Sequence, residues 1–192
     1  MTIKAFFACF GLVCLALSAH SHAAGSIERE YGVYVGAGAG MMDVDALDAF
    51  EKDVAYKAGE LMAGAYWRWL GLEYRIGKSM EDETINVDSD EDGGIPEYAK
   101  TAISSYHSYY LRAQLDNEIA RVYALFGQTT ANTTSTFQDG EISNRSATGN
   151  SIGLGAGFYV TPNMNFNLEF RYLLKNTRDG FVMTGVTLDF WF

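Results

Sequence analysis

The sequence predicts an all-β fold: a transmembrane antiparallel up-and-down β-barrel of eight strands, preceded by a cleaved signal peptide. Three observations predict it. The chain opens with an export leader, apolar and polar residues alternate with period two in stretch after stretch, and short connections alternate with long polar ones. Period-two alternation is the mark of strands with two different faces.

The leader reads Met1-Thr2-Ile3-Lys4, then 15 apolar-rich residues from Ala5 to Ala19, then the small-x-small pattern Ser21-His22-Ala23. That is the layout of a secretory signal peptide. The apolar run falls short of the ~20 residues a spanning helix needs. Cleavage is expected after Ala23, which makes residues 1–23 the signal and 24–192 one barrel domain. Cys9 and Cys14 lie in the leader, so no disulfide is expected, and neither has the flanks of a lipoprotein anchor. With 24 acidic against 14 basic side chains and no basic run, the chain is a poor partner for nucleic acid.

Each expected strand has an apolar and a contrasting face. Residues 31–40 put Val33, Val35, Ala37 and Ala39 opposite Tyr34, Gly36 and Gly38. Residues 57–67 put Leu61, Ala63, Ala65 and Trp67 opposite Glu60, Met62, Gly64 and Tyr66. Residues 70–79 set Leu70, Leu72, Tyr74 and Ile76 against Glu73 and Arg75, and residues 103–115 set Tyr109, Leu111 and Leu115 against Tyr110, Arg112 and Gln114. In 149–160, Ile152, Leu154 and Phe158 oppose glycines. In 164–174, Phe166, Leu168 and Phe170 oppose Asn165, Asn167, Glu169 and Arg171. The last strand places Val182, Val186, Leu188, Phe190 and Phe192 opposite Thr187, Asp189 and Trp191. Residues 119–129 are apolar on both faces, and their parity is not assignable.

A soluble barrel would turn polar faces outward. Here the charges share a face with glycines and the opposite face is almost free of charge, an inversion that suits lipid. The connections agree. Tight turns are expected at Arg68-Trp69, Asp116-Asn117-Glu118 and Thr161-Pro162-Asn163, and longer polar loops over 41–55, 80–102, 130–148 and 175–180. Outer-membrane barrels place short turns in the periplasm and long loops outside.

The terminal Thr187-Leu188-Asp189-Phe190-Trp191-Phe192 resembles the C-terminal signal read by the barrel assembly machinery. With Tyr34-Val35-Gly36-Ala37-Gly38-Ala39-Gly40 and Leu70-Gly71-Leu72-Glu73-Tyr74, the chain resembles the small OmpX/OmpA-type outer-membrane β-barrel family over 27–192. The resemblance implies a bacterial outer-membrane location, contact with lipid and lipopolysaccharide, and an assembly role for Leu188, Phe190 and Phe192. Unlike OmpA itself, the chain is expected to carry no peptidoglycan-binding domain after the last strand.

Three constellations could carry chemistry. Ser105 and His107 share a face near the outer rim. The lipid A deacylase barrels, however, carry a His-x-Ser pair on the penultimate strand, which here reads Phe170-Arg171-Tyr172-Leu173-Leu174. An enzyme is therefore not expected. Residues 81–97 hold eight carboxylates, among them Asp88, Asp90 and Asp92 in the order of half a calcium loop. The glutamate such a loop needs at its twelfth position is replaced by Ala99, so weak divalent-cation binding is the most that is expected. Third, Glu73, Arg75, Arg112, Glu169 and Arg171 should converge on a narrow interior and plug it with ion pairs, with Glu60 and Asp189 on the same inner faces. No cofactor is implied. The expected role is structural, surface-interaction or adhesion-type, carried by acidic external loops. The alternatives are a narrow channel for ions or small solutes and, further off, a lipid A-modifying enzyme. Trp67, Trp69, Trp191, Phe158, Phe166, Phe190 and Phe192 are expected to form an interfacial aromatic girdle.

Overall fold

The computed structural model describes residues 31–44, 54–87, 97–117, 119–174 and 180–192. They form nine strand segments, and none of them is helical: β1 (Tyr31–Val44), β2 (Val54–Trp67), β3 (Leu70–Ser79), β4 (Glu83–Val87), β5 (Glu97–Asp116), β6 (Ala120–Phe137), β7 (Ile142–Thr161), β8 (Met164–Leu173) and β9 (Phe181–Trp191). Neighbours in sequence other than β3 and β4 pair antiparallel, β9 returns to β1, and β3 pairs with β5, which closes the sheet. The barrel therefore has eight staves. The short β4 continues β3 along the upper part of β5.

The registers fix the barrel's shape. Stepping across them from Gly32 leads through Tyr66, Gly71, Arg112, Leu125, Gly153, Arg171 and Met183 to Met42, a stagger of ten residues. With strands ~4.8 Å apart and rising ~3.3 Å per residue, eight staves and that stagger give a tilt of about 40° and a backbone radius of about 8 Å. A ten-residue strand such as β3 then rises ~25 Å, the height of an outer-membrane barrel's apolar band.

The alternation resolves as the two faces of the wall. Outward residues of β3 are exposed and inward ones buried in strict turn, and β8 buries Asn165, Asn167, Glu169 and Arg171. The parity of β6 is now visible: Arg121, Tyr123, Leu125 and Thr129 are buried inside, while Phe126 faces out. Trp191 departs from the girdle expected of it. It lies 1 % exposed in the lumen, its ring 4.8 Å from that of Tyr34, because it shares the inner parity of Thr187 and Asp189. Trp67, Trp69, Phe158, Phe190 and Phe192 are exposed around the end of the barrel that carries the tight turns.

Those turns are short for visible reasons. Arg68 adopts φ 55° in the two-residue connection between β2 and β3, and Asn117 Oδ1 accepts hydrogen bonds from the backbone of Ile119 and Ala120. At the other end, the expected loop 130–148 is instead largely strand, and 80–102 is strand at 83–87 and 97–102. β6 and β7 run on to Phe137 and Ile142 and are joined by a turn in which Gly140 has φ 86°, and β5 begins at Glu97. β5 and β7 have 20 residues each, about twice what the apolar band needs, so they carry a sheet beyond it. Residues 130–136 and 143–151 are rich in Thr, Ser and Asn, which pair well across strands but leave both faces polar. Thr130–Thr148 and Thr134–Asn144 hydrogen bonds stitch this extension.

Candidate functional site

The inward faces bring together four arginines and four carboxylates, all buried. Arg75 is the hub: its Nε donates to Glu73 Oε1 at 2.5 Å, its Nη1 to Glu60 Oε1 at 2.7 Å and Glu169 Oε2 at 2.5 Å, and its Nη2 to Glu169 Oε1 at 2.8 Å. Arg171 Nη2 donates to Glu60 Oε1 at 2.6 Å, and its Nε lies 3.4 Å from Glu169. Arg112 Nη1 donates to Glu73 Oε2 at 2.7 Å. Arg121 pairs with Asp189 and donates through Nε to Asn167 Oδ1 at 3.0 Å. The five residues Glu73, Arg75, Arg112, Glu169 and Arg171 thus sit in one cluster, joined by Glu60. Arg121 and Asp189 form a second pair nearer the end that carries the tight turns.

Tyrosines complete the carboxylates' partners. Tyr34 donates to Glu73, Tyr123 to Glu169, and Tyr106 to Glu60 Oε2 at 2.9 Å. They fit because glycines face them. A Cβ at Gly155 would stand 2.1 Å from Tyr123 Cζ, and one at Gly64 2.3 Å from Tyr34 Cζ, so each ring lies flat on a bare stretch of neighbouring strand. The same rings support the cations: Arg112 lies 3.7 Å over the Tyr123 ring, and Arg121 4.6 Å from the centre of the Trp191 ring.

Apolar clusters flank this polar middle. Toward the end away from the tight turns Met42, Tyr56, Ile103, Leu173, Phe181 and Met183 pack together. Toward the end with the tight turns Tyr34, Met62, Tyr66 and Trp191 do the same. Arg121, Tyr34, Tyr106 and Tyr123 are the members that sequence reasoning missed. The signal for Arg121 was its charge: as the one charged side chain in residues 120–137, it must face the lumen, and that alone fixes the parity of β6.

The remaining expected sites are less built. Ser105 and His107 share no hydrogen bond; Ser105 Oγ accepts from Asn132 Nδ2 at 3.0 Å, and the His107 ring lies against Tyr109. Asp88, Asp90 and Asp92 lie outside the described residues. Among the described residues no group of three or more metal-ligating side chains gathers. Leu188, Phe190 and Phe192 stand on the outward face of β9, and Phe192 donates its backbone N–H to Val33 O at 2.9 Å.

Comparison with known proteins decides the family. The outer membrane protein beta-barrel domain matches residues 10–190. The chain belongs to that family. No curated protein sequence matches it significantly. Among solved structures it is similar to Neisserial surface protein A, with 12 % identity, a TM-score of 0.58, and coverage of 83 % of this chain and 97 % of that one. It is likewise similar to Ail, the attachment invasion locus protein of Yersinia pestis, at 15 % identity, TM-score 0.54, 84 % and 96 % coverage. OprG of Pseudomonas aeruginosa matches at 14 % identity, TM-score 0.52, 84 % and 96 % coverage. At these identities the likeness is one of fold.

Proposed function

We propose that this outer-membrane barrel acts at the cell surface, as a plugged, rigid scaffold in a surface-interaction, adhesion-type or envelope-stabilising role, and that it carries no catalytic site. The observation that supports it most is the lumen, where four arginines and four carboxylates balance in charge and are flanked by apolar clusters. A pore about 8 Å in backbone radius leaves room for side chains and little else. Side chains that hold one another across the lumen fill it and leave no mobile path through it.

What remains free to act is the outer end, with its polar sheet of β5, β6 and β7 and the acidic runs around 43–53 and 81–97. Function on such scaffolds resides in the loops. The Ail crystals contained the heparin analogue sucrose octasulfate. A polyanion of that kind is disfavoured here, because the outer acids would repel it; a basic partner surface, or divalent cations bridging to lipopolysaccharide, with Asp88, Asp90 and Asp92 as weak ligands, suits the charge better. Export by cleavage after Ala23 and assembly through Leu188, Phe190 and Phe192 belong to the same reading.

The test replaces 88–96 and 131–147 separately by short turns and measures adhesion of cells displaying each barrel. Loss of adhesion with a normally folded barrel is the expected result. Unchanged adhesion with altered uptake of small solutes would favour the channel reading instead.

A further inference from the structure

On the lipid-facing wall, the outward residues of β2, β3 and β5 change character at one level. Below it stand Leu61 and Ile76, both exposed and apolar; above it stand Lys57, Lys78 and the polar residues of β5. In cross-strand register Gly59 faces Lys78, and the next row down pairs Leu61 with Ile76 and Ile76 with His107. This level is the outer border of the apolar belt.

Here β5 carries a bulge. The register shifts between Ile103 and Ser105, and since Ile103 and Tyr106 are both buried inside, Ser104 and Ser105 both fall on the outer side. Bulges re-aim side chains and recur beside functional sites. Both serines, with Lys78, Met80, Ile76 and Leu61, line an open groove of about 510 Å3 with Gly59 in its wall. Ser104 Oγ donates to Asn132 O at 3.0 Å, whereas Ser105 Oγ only accepts, from Asn132 Nδ2, so its own proton is available to a ligand. Glu81 pairs with Lys57 at 3.0 Å, while Lys78 makes no ion pair among the described residues. On a chain of net charge −10, an uncompensated cation directly above an apolar groove has one complementary occupant in a bilayer.

We propose that this groove binds a phosphorylated lipid of the outer leaflet, its phosphate held by Lys78 with Ser105 as a hydrogen-bond donor and His107 at its edge, and one acyl chain laid along Leu61 and Ile76 beside Met80. The inference rests on the membrane placement of the barrel and not on the surface-interaction reading. Lysine serves as a point charge for phosphate, and the exposed side chains of Leu61 and Ile76 give the chain an apolar surface to lie on.

The test is native mass spectrometry of the detergent-solubilised barrel titrated with bis-phosphorylated lipid A, with its dephosphorylated form, and with inorganic phosphate. Wild type should prefer the phosphorylated lipid over both. Lys78→Gln should weaken its binding roughly three- to fivefold, the scale of one partly solvated ion pair, while Lys100→Gln, farther out on β5, should not. Gly59→Val takes the place of the flexible Met80 end, whose Cε lies 2.5 Å from the added Cβ, and pushes it into the groove. It should weaken both lipids alike. Equal binding of the two lipid forms, or no effect of Lys78→Gln in a folded barrel, would overturn the proposal. So would inorganic phosphate competing as well as the lipid, which would mark a soluble-anion site.

Discussion

Replacing Arg75 by methionine removes the hub of the lumen while keeping most of its volume. Three carboxylates then lose a partner at once, Glu169 two hydrogen bonds and Glu60 and Glu73 one each. Breaking a buried ion pair by removing one member costs ~3–5 kcal/mol. Each carboxylate here retains a second donor, since Glu169 still has Tyr123 and Arg171, Glu60 has Tyr106 and Arg171, and Glu73 has Tyr34 and Arg112. The expected loss is therefore at the lower end, about 3 kcal/mol. Urea unfolding in lipid vesicles, followed by the fluorescence of Trp67, Trp69 and Trp191, measures it. Arg75→Met combined with Glu169→Gln should recover part of the loss, with a coupling of ~1–3 kcal/mol, because one uncompensated charge is withdrawn. A loss under ~1 kcal/mol for Arg75→Met, the range of solvated pairs, would mean that the lumen is wet and the network incidental, and the reasoning would fail.

Three further outcomes follow from the wall itself. Gly155→Ala places a methyl against the Tyr123 ring and should destabilise by ~1–3 kcal/mol by overpacking, read in the same unfolding assay. Single cysteines at Asp139, in the turn between β6 and β7, and at Asn117, between β5 and β6, should label oppositely on intact cells, Asp139 only; labelling at Asn117 alone would invert the topology. Phe192→Ala should lower the yield of heat-modifiable barrel in the outer membrane, and a normal yield would remove the terminal aromatic from the assembly signal.

How much of this was legible follows from what each face meets. In seven strands lipid demands an apolar outer face, so alternation marks the wall and sends Glu73, Arg75 and Arg171 inward. The eighth, β6, hides its parity because its inner face carries Tyr123 and Leu125, which are as apolar in sequence as the residues of its outer face. Trp191 belongs to the lumen and not to the expected girdle, because its parity with Asp189 sets it inside. The outer halves of β5, β6 and β7 read as loop because water lies on both faces there and erases the period, although threonine's β preference remains. The tyrosine-on-glycine pairs need cross-strand register, which no local pattern contains: Gly155 sits opposite Tyr123 only through the β6–β7 pairing.

The central claim is that the lumen is closed. Planar-bilayer recording of the purified wild-type barrel tests it most directly, since the network of Glu60, Glu73, Arg75, Arg112, Glu169 and Arg171 should leave no continuous path for ions. No sustained conductance is expected in the wild type, and intermittent openings in Arg75→Met. A large, steady, ohmic conductance in the wild type would contradict it and make the protein a channel.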